Sequence, residues 1–242
     1  MDSLAFKHHF IEFRSRVLRL ILFYILFFII SFIFYDLIIV YLSKPLKALV
    51  LSQDSFLYVM SIFEGFVVKF KTSSIVALVI SYPFLIYQLL AFIFPGLKKN
   101  ERKFFIYLVP TTFLLAFTGF FFVYYKILPI SIPILLSSSF IPNDIGLVLN
   151  FKNSIFYILH FLFLSIFVYQ FPILILLLLH FKIFSRKQLL SSFRYIFIFI
   201  FTISAIITPP DVISQISLAL PLIFFFFLSY VIATLLKIGE AI

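Results

Sequence analysis

At 242 residues, 64% hydrophobic and only 12% charged, the chain is excluded from the soluble globular class, where about 25% of residues carry charge. Its net charge of +10 does not mark a nucleic-acid binder, because the bases flank apolar runs instead of decorating a soluble fold. The absence of cysteine rules out disulfides, thiol catalysis and cysteine-ligated metals.

At the N-terminus, Phe6, Phe10, Phe13 and Val17 share one helical stripe while Lys7 and Arg14 fall elsewhere, which predicts an amphipathic helix lying in the membrane interface. Glu12 and Arg16, spaced i and i+4, suit a helix-surface pair worth a few tenths of a kcal/mol. Leu20 to Leu42 is apolar except for Asp36 and is long enough for a first span. The segment to Lys71 is too polar to cross and reads as a first outer loop, in which Pro45 stops the preceding helix and Glu64 sits among aromatics. Thr72 to Leu97 is uncharged and forms a second span, with Pro83 as a kink and Pro95-Gly96 as its end. Directly after it, Lys98, Lys99, Arg102 and Lys103 surround a single acid, Glu101.

Phe104 to Tyr125 is a third span, with Gly119 offering close helix approach. Ile127 to Asn143 is uncharged but holds Pro129, Pro133 and Pro142, so an outer cap or partly inserted segment is expected there. Asn153 to Phe181 makes a fourth span containing His160, Gln170, Pro172 and His180; Gln170 must face protein or water, because polar groups are costly in lipid. Tyr195 to Thr208 covers roughly 21 Å against a core of roughly 30 Å, so the bilayer thins or the hairpin tip is submerged. Thr208-Pro-Pro-Asp211 reads as a rigid turn in which Asp211 caps the last span, Val212 to Leu236.

The positive-inside rule fixes the count. With six spans and the N-terminus inside, Lys and Arg divide 13 inside to 6 outside; a seventh span at Ile127 would make the split 9 to 10. The expected fold is an all-α membrane protein, one domain over residues 1–242, with six transmembrane helices, a short last pair and both termini on the matrix or cytoplasmic side.

No nucleophile triad, catalytic carboxylate pair, phosphate-binding glycine loop or dinucleotide fingerprint can be assembled, and His160 has no partner at metal spacing. The chain is expected to be no enzyme and to carry no cofactor or metal. Its distinctive chemistry is a pair of acids, Glu12 and Glu101, each at the inner surface amid bases. Such carboxylates suit the binding of guanidinium groups, which pair with carboxylate bidentately.

Three stretches carry a family resemblance. His9-Phe-Ile-Glu-Phe-Arg-Ser-Arg-Val17 resembles the opening motif of the TatC family, His-Leu-x-Glu-Leu-Arg-x-Arg-Leu. Tyr87-Gln88, Ala91-Phe92, Pro95-Gly-Leu97 and Glu101-Arg102 are similar to its first cytoplasmic hairpin, and Thr208-Pro-Pro-Asp-Val-Ile-Ser-Gln215, followed by Leu-Ala-Leu-Pro221, is similar to its last. The resemblance runs from about His8 to Leu236. It implies the multispanning receptor of the twin-arginine protein translocase, with Glu12, Arg14, Arg16, Phe92 and Glu101 binding the signal peptide. Pro45, Gln170, Pro209, Pro210, Asp211 and Gln215 take structural or partner-contact roles. Gln170 stands where the family commonly has a glutamate, and an amide cannot titrate.

The resemblance further implies folded cargo, a proton-motive force, small single-span TatA/TatB-like partners, a homo-oligomer and the lipid bilayer as surroundings. An A+T-rich organellar genome would produce the Phe-rich, Trp-free composition, so the mitochondrial inner membrane is the expected location, with a bacterial plasma membrane as the alternative. A secondary transporter for a small solute would need charges and broken helices repeated in both halves. A structural subunit of a respiratory complex would need no surface acids.

Overall fold

The computed structural model describes residues 2–50, 57–93, 99–137, 148–207 and 212–239. The expected Pro95-Gly96 stop, Pro142 and the turn holding Pro209, Pro210 and Asp211 lie outside these residues. The chain divides into two units, each treated by itself. One comprises Met1–Lys44, Phe56–Phe113 and Val148–Leu159, the other Pro45–Ser55, Leu114–Leu147 and His160–Ile242.

In the first unit, helices α1 (Asp2–Ile33) and α3 (Glu64–Ile93) pack along their length. Phe13 meets Phe92, Phe23 meets Phe84 and Phe28 meets Phe70 at ring-centroid distances of 5.8, 4.3 and 5.2 Å. One number rises as the other falls, so the two helices run antiparallel. Lipid offers no hydrophobic drive for association, so helices inside it are held by packing and hydrogen bonds. Here the aromatic pairs supply the first, at about 0.5–1.5 kcal/mol each, and Tyr24 supplies the second by sharing a 2.6 Å hydrogen bond with Ser74.

Two expectations are corrected here. The N-terminal segment is no separate interfacial helix; it forms the first turns of α1, because no proline or glycine interrupts residues 2–33. A break at Phe34 then leads into α2 (Tyr35–Val50), and Pro45 sits buried inside that helix instead of ending it.

The first unit is closed at one end by a carboxylate. Strand β1 (Leu57–Tyr58) pairs in parallel with β2 (Leu149–Asn150), which leads directly into α6 (Phe151–Val168). Glu64, only 4% exposed, accepts the Met60 amide on Oε2 and the Lys152 amide on Oε1, both at 2.8 Å. The Lys152 amide belongs to the first turn of α6, where backbone donors have no intrahelical partner and the helix dipole favours an anion. One side chain therefore begins α3, caps α6 and holds the strand pair beside both.

Helix α4 (Lys99–Phe122), which belongs to the second unit from Leu114 onward, continues through a π turn at Val123–Ile127 into α5 (Leu128–Leu135). Within the run expected to be an outer cap or partly inserted segment, Ile127 to Leu135 is helical and continues α4. The wide turn is the reason: the Leu128 amide reaches five residues back to the Val123 carbonyl, opening room ahead of Pro129, whose ring would crowd a regular α turn. After α6 the chain breaks at Tyr169-Gln170 and resumes as α7 (Phe171–His180), then α8 (Arg186–Ser191), α9 (Phe193–Ile207) and α10 (Val212–Leu235). Helix α10 packs on α7 and α9 around buried Ile200, Ala219 and Leu222. Helices α7 and α10 both end on a left-handed lysine, Lys182 at φ 56° and Lys237 at φ 54°, and the following amides return to the carbonyls of Leu178 and Ala233, as helix ends require.

Among the described residues five helical stretches are long and apolar enough to cross a membrane: Phe10–Ile33, Glu64–Phe92, Ile106–Leu135, Phe151–His180 and Gln215–Leu235. Helix α9, at 15 residues, is a shorter apolar one. Leu22, Leu114 and Phe224 are more than 60% exposed, a surface suited to lipid and unsuited to water. The protein is a multi-pass membrane protein.

Candidate functional site: a guanidinium held by Glu12

Where α1 meets the end of α3, Arg16 is the hub. Its Nε and Nη2 both donate to Glu12 Oε1, at 3.1 and 2.6 Å; Nη1 donates to Gln88 Oε1 at 3.2 Å, and Nη2 to the Ala91 carbonyl at 3.0 Å. Ala91 is in the last turn of α3, where carbonyls lack intrahelical donors and a cation complements the dipole. Arg16 therefore fastens α1 to the end of α3 while presenting Glu12. The half-buried Phe92 packs edge-on against Phe13 beside this junction, and Arg14 is exposed.

Both donors of Arg16 fall on one oxygen of Glu12, whose side chain is still 35% exposed. Among the described residues Oε2 accepts no bond, so the carboxylate retains room for a second guanidinium. A pair this open to solvent contributes well under 1 kcal/mol to folding; its value lies in orientation. Glu101 falls in the first turn of α4, and its side chain lies outside the described residues, as do Pro209, Pro210 and Asp211.

The remaining expected contact residues belong to the second unit, Pro45, described above inside α2, among them. Gln215 donates from Nε2 to the Phe201 carbonyl at 3.1 Å, stitching α10 to α9. Gln170 occupies the break before α7, and its carbonyl accepts the amides of Ile173 and Leu174. It is half-buried and, among the described residues, is the one polar residue lining a cavity of about 480 Å³ otherwise walled by apolar side chains such as Phe167, Phe171, Ile203 and Leu222.

Sequence reasoning paired Glu12 with Arg16 but missed Gln88 and the Ala91 carbonyl as the other anchors of Arg16. The available signal was Gln88 itself, an amide inside an uncharged run of lipid-crossing length. It likewise missed that Glu64 binds two backbone amides, the second of which, that of Lys152, arrives with the return of Leu149 and Asn150 to Leu57 and Tyr58.

Comparison with known proteins gives consistent results. A family model described as Sec-independent protein translocase protein (TatC) matches residues 8–221. The Sec-independent protein translocase protein TatC of Halothiobacillus neapolitanus is 34% identical over 224 residues, which is 90% of this chain and 59% of that protein; the chain thus spans about three-fifths of that relative's length. The TatC of Rickettsia prowazekii is 28% identical over 239 residues, covering 98% of this chain and 95% of that one. A crystal structure of the twin arginine translocase receptor TatC in DDM superposes with a TM-score of 0.78 at 27% identity, covering 96% of this chain and all of that one.

Proposed function

This chain belongs to the TatC family of Sec-independent protein translocase proteins, a transport family and not a family of catalysts, and from that premise we propose that it is the receptor for twin-arginine signal peptides. Glu12 and Glu101 are the two carboxylates of the proposed site, with Arg14, Arg16 and Phe92 bordering it. The observation that carries the reading is Glu12 itself, which already binds one guanidinium on a single oxygen and is one-third exposed. A second acid, at position 101, would let two successive arginines each find a bidentate partner amid bases that repel other cations. Placing a photo-crosslinker at position 101 and incubating with a precursor tests this. Capture of the twin-arginine segment is the expected outcome, and capture only of mature cargo or of nothing would refute it.

The proposal extends to topology. Six spans with both termini inside follow from the 13 to 6 division of bases, with α9 as the short fifth span. Because the chain has no cysteine, single engineered ones report without background. Ser3→Cys and Ser185→Cys should label from one side of the membrane, and Ile62→Cys and Val148→Cys from the other; labelling of Ser3→Cys and Ser185→Cys from opposite sides would contradict the six-span arrangement.

Folded cargo, the proton-motive force, TatA/TatB-like single-span partners and self-association complete the reading, with the mitochondrial inner membrane as location on the compositional ground given above and a bacterial plasma membrane as the alternative. Gln170 acts in it by hydrogen bonding at the edge of an apolar cavity. Gln170→Leu suits that cavity sterically, so the variant should fold normally yet lose several-fold in transport, whereas Gln170→Glu should transport. Normal transport by the Leu variant would make Gln170 only a tolerated polar residue.

A further inference from the structure

At the other end of the α1–α3 pair from Arg16, three lysines gather on aromatic rings. Lys69 Nζ lies 4.6 Å from the Phe32 ring centroid and 5.4 Å from that of Tyr35. Lys71 Nζ sits 3.9 Å over Phe156, and Lys152 Nζ approaches the same ring at 6.0 Å. None of the three makes an ion pair among the described residues. Glu64 commits its oxygens to the amides of Met60 and Lys152, and Asp36 is exposed without an ion pair to any of them.

Gathering like charges without an acid is unfavourable unless an anion arrives from outside, and these lysines sit on the side that the positive-inside rule would leave poor in bases. Their surroundings identify the anion. Phe66 and Phe70, flanking them on α3, are 62% and 51% exposed, so the ammonium groups stand where a lipid-facing surface ends and long basic side chains meet the headgroups. A ring occupies one side of each ammonium and leaves N–H donors for other acceptors.

We propose that Lys69, Lys71 and Lys152 form a binding site for the phosphate of an anionic phospholipid, whose acyl chains lie along Phe66 and Phe70. A zwitterionic lipid would bring its own cation into a cluster that already has three, so the site discriminates by net headgroup charge. The proposal does not need the receptor reading; it takes from the proposed topology only the side of the membrane on which these lysines lie.

Native mass spectrometry of the purified, delipidated chain offered equal amounts of phosphatidylglycerol and phosphatidylcholine with matched acyl chains tests this. At about 1 kcal/mol per lysine near an anionic surface, the wild type should prefer phosphatidylglycerol by roughly a hundredfold. The Lys71→Gln/Lys152→Gln variant should keep only a several-fold preference, and Lys187→Gln, a change on α8 in the second unit, should match the wild type. Excess inorganic phosphate should leave the bound lipid in place. Equal retention of both lipids by the wild type would overturn the proposal whether or not the variants fold. An unchanged preference in the double variant would also overturn it, and displacement by inorganic phosphate would show a free-anion site in place of a lipid site.

Discussion

Glu101→Gln should weaken binding of a twin-arginine precursor by about ten- to a hundredfold while leaving the chain folded. Charge-assisted hydrogen bonds contribute about 1.5–3 kcal/mol, and glutamine keeps the size of glutamate while losing the charge that makes a guanidinium contact strong. Glu12→Gln should act in the same direction through a second effect as well, because Glu12 Oε1 holds two donors of Arg16. Arg16 keeps its bonds to Gln88 and the Ala91 carbonyl in that variant, so α1 stays fastened to α3 and the loss reports on binding. If both carboxylates hold one arginine pair, the double variant loses less than the sum of the two single losses. Equilibrium titration of labelled precursor against each variant, alongside its helical circular dichroism, gives these numbers. Unchanged affinity in both single variants would reduce Glu12 to an ion-pair partner of Arg16 within α1.

Gly119→Ala should be the most damaging conservative change in the second unit. A Cβ at this position would lie 2.5 Å from Cγ of Tyr169 and under 3 Å from two further atoms of that side chain. Tyr169 has no room to yield: it is 1% exposed and packs against Phe122 at 6.3 Å and edge-on against Phe225 at 5.4 Å. Overpacking a filled interior costs about 1–3 kcal/mol and sometimes more, and the upper end applies where the clash falls on a wedged aromatic ring. Thermal unfolding in detergent should show a clear drop in midpoint. Adding Tyr169→Ala removes the clashing atoms, so the double variant should cost less than the two single changes together. A Gly119→Ala protein that melts with the wild type would show that α4 and the α6–α7 break are not in such close contact.

The elements easiest to read were those whose signal is local. An uncharged run bounded by bases is a membrane helix in any context, and the shortness of α9 is visible from the distance between Arg194 and the Pro209-Pro210 pair. Boundaries that rest on hydrogen-bond geometry were not legible. Glycine usually marks a helix end that turns left-handed, but α7 and α10 end on Lys182 and Lys237, which carry no such signal. Pro45 and Pro129 read as breakers, yet α2 runs through the first and a π turn prepares the second, and neither accommodation has a residue signature. At the site, Glu12 and Arg16 stood out because they are four apart on one helix. Gln88 and the Ala91 carbonyl, more than seventy residues away in sequence, came to Arg16 only through the antiparallel seam of α1 and α3. The lysine cluster was invisible for the same reason, since Lys71 and Lys152 meet only across the Phe156 ring.

The central claim is that two acids at one membrane face receive two arginines. It is tested most directly by titrating the purified chain with two signal peptides that differ only in Arg-Arg against Lys-Lys. Lysine is a point charge and cannot make the forked contact, so the Arg-Arg peptide should bind at least about tenfold more tightly, which corresponds to about 1.4 kcal/mol. That advantage should collapse in the Glu12→Gln/Glu101→Gln chain. Equal affinity of the wild-type chain for the two peptides, or an arginine preference that survives in the double variant, would contradict the assignment.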